Sequence, residues 1–120
     1  MATTGETIET DPTTGGQKAR KLARFSLLPY DALWRVAEHF GRGAEKYEDR
    51  NWERGYAWSW SYDALMRHLT AWWHGEDRDT ETGSLHITAV AWHALVLLAF
   101  RLRHIGTDDR PVGSNIKEDA

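Results

Sequence analysis

Glu76, Asp77, Asp79 and Glu81 fall within six residues of one another, in the segment GEDRDTETG, and two histidines, His68 and His86, flank them. Carboxylates at this density suit a hard divalent cation such as Mg2+ or Mn2+, which takes oxygen ligands while the phosphates of a bound substrate complete its shell. Glu76 and Asp79 stand in an ExxD spacing that lets two side chains converge on one ion, with Asp77 and Glu81 as second choices. The competing reading is a solvated acidic turn between two helices. His68 precedes Glu76 by eight residues with Trp72 midway, on one helical face, and His86 precedes His93 by seven. His68 and His86 are suited to orient a metal-bound water or, when protonated, to neutralise phosphate charge. His93 reads equally well as a structural histidine.

A second group of residues is suited to grip a nucleotide. In GRGAEKYEDRNW, Lys46 is a point charge for phosphate, Tyr47 and Trp52 offer ring faces on which a base can stack, and Asn51 can read a base edge or hold a turn. The basic run Gln17 to Arg24 contributes Lys18 and Lys21 as further phosphate contacts, or it is a solvated amphipathic lead-in. Glu38 and Glu45, seven apart on one helix, are positioned to face the acidic turn as complementary metal ligands, or to pair with Arg42 in solvent. Absences narrow the chemistry. The chain has no cysteine, so no thiolate site or thiol nucleophile is available. It has no HD pair, no HExxH, no GxxxxGK[ST] loop and no Glu-rich box of Nudix type, which excludes a P-loop NTPase.

These residues need helices to hold them. The 120-residue chain is 41% hydrophobic and 12% aromatic, which suits one compact domain, and its Ala/Leu/Trp/Arg stretches favour helix over strand. The expected fold is all-α, a small bundle of three main helices. They run from about Asp31 to Tyr47, Ser61 to His74 and Ser84 to His104, with Gly75 ending the second. Gly41 and Gly43 weaken the first helix or mark a close approach. Residues 1–16 are expected to be a flexible segment, 17–105 the helical domain and 106–120 a flexible tail. The third helix is apolar nearly all round between Ile87 and Ala99, so it is expected to be shared between subunits of a dimer or tetramer. A net charge of −3 argues against a stable nucleic-acid complex, although strand binding through Trp stacking is a weaker alternative. No segment reads as a signal peptide or membrane span, which leads to the expectation of a soluble cytoplasmic protein with no membrane partner.

Taken in order, GGQKARKLARFSLLP, GRGAEKYEDRNWERGYAW, YDALMRHLTAWWHGEDRDTETG and LHITAVAWHALVLL resemble the phage-encoded dATP/dGTP diphosphohydrolases of MazZ type, relatives of the all-α MazG nucleotide pyrophosphohydrolases. The likeness covers about residues 15 to 100. It implies an oligomeric helical enzyme that uses Mg2+ or Mn2+ to cleave a purine deoxynucleoside triphosphate, dGTP or dATP, into the monophosphate and pyrophosphate. It further implies action in the host cytoplasm, in phage nucleotide metabolism linked to 2-aminoadenine DNA. MazG enzymes place ExxE on one helix and ExxD on the next. Here Arg67 and His68 occupy the first position and His86 opens the third helix, so the expected ligands are Glu76 and Asp79, complemented by Glu38 or Glu45. A non-catalytic nucleotide-binding or helical interaction module is the alternative.

Overall fold

A computed structural model describes residues 6–112 of the chain, so the ends of both expected flexible segments lie outside the described residues. The described residues fall into two compact units, one ending at Pro29 and one beginning at Tyr30.

The first unit is a β-hairpin, and it makes the fold mostly helical rather than all-α. Strand β1 (Thr7–Thr10) pairs antiparallel with β2 (Gln17–Arg20), with Glu9 opposite Lys18. Its turn is built by Asp11, whose side-chain oxygen accepts from the amides of Thr13 (2.8 Å) and Thr14 (2.9 Å), while Gly15 takes the left-handed conformation at φ +78°. Those two amide bonds hold the Asp11 carboxyl below its usual range. The hairpin carries no apolar alternation, because all but one of its strand residues are exposed. Backbone pairing and turn chemistry define it where a hydrophobic pattern does not.

The second unit holds helices α1 (Tyr30–Lys46), α2 (Trp58–Trp73) and α3 (His86–Arg103), and α3 packs against both of the others. On α3, His86, Ala89, Val96 and Phe100 are buried and recur at helical spacing. Val36 on α1 and Trp58 and Ser61 on α2 face this stripe. Helix α2 ends in a Schellman motif: the Glu76 amide donates to Ala71 O (3.0 Å) and Gly75 N to Trp72 O (3.0 Å), with Gly75 at φ +95°. An added Cβ at Gly41 or Gly43 would meet nothing within 4 Å, so among the described residues neither glycine serves a close approach.

Ile105 and residues 106–110, the latter expected as part of a flexible tail, are held against the start of α2. Trp58 Nε1 donates to Ile105 O (3.0 Å), Trp58 N to Thr107 O (2.9 Å), and Asp109 accepts from both the amide (2.9 Å) and hydroxyl (2.5 Å) of Ser59. Asp109 thereby caps the first turn of α2, in which Ser59 is the second residue. Gly55 and Gly106 cross back to back: an added Cβ on Gly106 would lie 2.5 Å from Tyr56 O.

Candidate metal centre

Four of the six histidines of the chain converge on the buried faces of the three helices: His39 from α1, His68 from α2, and His86 and His93 from α3. They occupy positions where the helical period calls for core residues. His39 shares the face of Val36, His68 that of Trp58 and Ser61, and His86 and His93 extend the stripe of Ala89, Val96 and Phe100.

The loop after α2 adds the carboxylates. Its Schellman turn delivers Glu76 at once to His86, whose Nε2 lies 2.8 Å from Glu76 Oε1. If that nitrogen carries the proton, His86 Nδ1 is left bare, and Nδ1 faces His68 Nδ1 at 2.8 Å. The rest of the loop closes through Asp79 N to Ser84 O (2.8 Å) and Gly83 N to Asp79 O (2.7 Å), and Arg78 NH1 donates to Gly83 O (3.0 Å). This fold-back points Asp79 at the histidines: one ligand atom each of His68, Asp79 and His86 lies within 4.8 Å of the others. Asp79 is held below the usual carboxylate range, first by the Glu81 amide donating to its Oδ1 (2.9 Å), then by His68 and His86.

Burial shifts three of these histidines, His39, His68 and His93, towards the neutral form. Burial pushes the pKa of His68 down, and the charges of Arg67 and His86 add to this against the pull of Asp79. Burial also lowers His93 to about 4. Its Nδ1 meets Ser61 Oγ at 2.9 Å, and that hydroxyl meets Tyr56 OH at 2.6 Å. His39 is pushed down by burial and by Arg42, and its Nδ1 is buried without a hydrogen-bond partner among the described residues, as is Trp92 Nε1.

Of the residues expected to do chemistry, the structure therefore brings Glu76, Asp79, His68 and His86 together. Asp77 contributes its backbone, its carbonyl accepting from His86 N (3.0 Å). Glu38 pairs with Arg35 (3.0 Å) and Glu45 is exposed further along α1; neither belongs to the His68, Asp79, His86 group. Lys46 lies over its neighbour Tyr47, 5.4 Å from the ring centre. Trp52, expected as a stacking face, packs between Phe40 (5.9 Å) and Phe100 (6.3 Å), and the Asn51 amide holds the turn by donating to Glu48 O (3.1 Å). Lys18 and Lys21 sit in the hairpin unit, Lys21 paired with Glu6. Sequence reasoning missed His39, Arg42, Arg78 and Ser84. Arg42 donates to Ser84 Oγ, tying α1 to the acidic loop.

Fold and site together define a small helical protein with a mixed imidazole and carboxylate centre where three helices meet. A family model described as dATP/dGTP diphosphohydrolase, N-terminal, matches residues 12–110, and the chain belongs to that family. No curated protein and no solved structure matches it. No helix among the described residues is long and apolar enough to cross a membrane.

Proposed function

We propose that the chain hydrolyses purine deoxynucleoside triphosphates, dGTP and dATP, to the monophosphate and pyrophosphate, at a metal centre built by His68, Asp79 and His86. The observation that carries this reading is the convergence of those three ligand atoms within 4.8 Å, with Glu76 behind His86, in a member of this family. Metal-bound histidines characteristically donate their second nitrogen to a carboxylate, which fixes the tautomer and strengthens the ligand. The two facing Nδ1 atoms cannot both be bare in the free chain, so one carries a proton that the other accepts; a cation would take that proton's place. Two imidazoles and one carboxylate fit Mn2+ better than Mg2+, which prefers an all-oxygen shell. When bound, the ion supplies Lewis-acid chemistry, lowering the pKa of a water and neutralising phosphate charge.

Water oxygen bonds to the α-phosphorus, the α–β bridging bond breaks with its electron pair leaving on pyrophosphate, and one proton is released. The chain's own part is to hold Asp79 ionised, to keep His68 neutral and able to ligate, and to orient His86 through Glu76. In the setting the resemblance implies, a phage-infected cytoplasm, the reaction removes dATP and dGTP and supplies dGMP.

The exposed apolar residues Ile87, Leu95, Leu98 and Leu102 form one stripe on α3, and we assign it to a homo-oligomer. Incubating the protein with each dNTP and Mn2+, with and without prior chelation, and resolving products by ion exchange tests the function. Monophosphate and pyrophosphate from dGTP and dATP are expected, lost on chelation and restored by Mn2+. Orthophosphate with dNDP, or no turnover of any dNTP, overturns it.

A further inference from the structure

Beside the metal centre, α1 and the loop that precedes α3 enclose a cleft of about 100 Å3, lined by Arg35, Glu38, Arg42, Arg78, Ser84 and Thr88. That volume holds about three waters, so it admits phosphate groups but not a nucleoside. Three guanidinium groups face one carboxylate, a formal balance of 3 − 1 = +2. Only Arg35 spends its charge on that carboxylate, at 3.0 Å from Glu38. Arg42 donates to the Ser84 hydroxyl and Arg78 to the Gly83 carbonyl, both neutral, and neither has an ion-pair partner among the described residues. The bond of Arg42 is part-buried and that of Arg78 is exposed; guanidinium groups held at neutral oxygens keep the rest of their donor fork for an anion.

The cleft and the centre share a wall. Ser84, which takes Arg42 on its hydroxyl, accepts the Asp79 amide on its carbonyl and stands two residues before His86. Thr88 is in the first turn of α3, whose amide end adds positive potential. We propose that Arg42 and Arg78 bind the β,γ-diphosphate of the triphosphate, the leaving group, while the α-phosphorus lies at the histidine and aspartate group. This rests on the diphosphohydrolase reading. It gives the two arginines a catalytic role as well as a binding one, because negative charge grows on the bridging oxygen as the α–β bond breaks.

The test compares wild type with Arg42→Gln and Arg78→Gln in dGTP turnover with Mn2+, inhibition by pyrophosphate and inhibition by dGMP. Each variant is expected to lose roughly 10- to 100-fold in kcat/KM and in pyrophosphate affinity, as for one charge-assisted hydrogen bond, with dGMP inhibition unchanged within about twofold. Because Arg42 also ties α1 to the loop, Arg42→Lys separates charge from fold: it keeps the charge without the fork and should recover part of the pyrophosphate affinity. If wild type turns over dGTP and the Gln variants keep its pyrophosphate affinity, the arginine assignment falls and the function stands. If wild type turns over no dNTP, the function falls. Calorimetry with pyrophosphate and Mn2+ then decides the cleft: binding lost in both Gln variants upholds it, and no binding by wild type removes it.

Discussion

Replacing Glu76 with Gln distinguishes a residue that supports a ligand from one that is a ligand. Glu76 Oε1 lies 2.8 Å from His86 Nε2, while the three atoms positioned to hold an ion belong to His68, Asp79 and His86. Gln preserves the size and an acceptor oxygen but removes the charge that makes His86 a stronger donor to metal. Carboxylates behind a metal-bound histidine typically contribute 10- to 100-fold in affinity or activity, about 1.4 to 2.7 kcal/mol. The Glu76 side chain is 49% exposed, whereas that of His86 is 6% exposed, so solvent screens the carboxylate and the effect should fall near the lower end, about tenfold. The assay is a Mn2+ titration of dGTP hydrolysis, giving the apparent metal constant and the saturated rate separately. Weaker Mn2+ binding by about tenfold is expected, with most activity regained at saturating metal. A loss of several orders of magnitude that excess Mn2+ does not relieve would place Glu76 in the ion's own shell and refute the reasoning. So would a variant indistinguishable from wild type.

Three further outcomes follow from the geometry. His93 is held at about pKa 4 in the folded chain against about 6.5 when unfolded, so the unfolded state binds the extra proton first and stability declines as pH falls from about 6.5 to 4. The upper limit is about 3.4 kcal/mol, discounted to about 2 for the ring's partial exposure; urea unfolding at pH 7.5 and 4.5 should show that much less pH dependence in His93→Gln, and equal slopes would contradict it. Gly106→Ala, at φ +77° with its new Cβ 2.5 Å from Tyr56 O, should lose about 2 kcal/mol or more in urea unfolding, and a neutral result would remove the crossing from the account. Leu95→Glu should reduce the assembly to monomer by light scattering, and a wild-type mass of 13.8 kDa would refute the interface at the outset.

The three helices were legible because their apolar stripes obey the 3.6-residue period and Gly75 marks a stop that the backbone uses. The hairpin was not, since strands exposed on both faces leave no alternation to read, and only the Asp11 and Gly15 turn chemistry announces it. Nor was the docking of residues 105–110, which depends on hydrogen bonds across some 50 residues rather than on apolar content. At the site, the acidic turn and its flanking histidines stood out because they are neighbours in the chain. His39 and Arg42 reach the same place from α1, and no local spacing signals that. Trp52 shows the converse ambiguity: a residue type suited to stacking a base is equally suited to packing between Phe40 and Phe100.

The crossing of Gly55 over Gly106 makes a closed circuit of the chain between them, and that circuit contains α2, the acidic loop and α3. Joining two points 51 residues apart costs about 3.5 kcal/mol of chain entropy in a random coil, from the logarithmic dependence on loop length. The cost is largely removed once α2 and α3 have paired, because the helical hairpin already brings its two ends together. The clasp is therefore expected to form last and to open first. Loosening it should speed unfolding while leaving the folding rate almost unchanged, so the lifetime of the folded histidine centre is governed by two glycines that take no part in its chemistry.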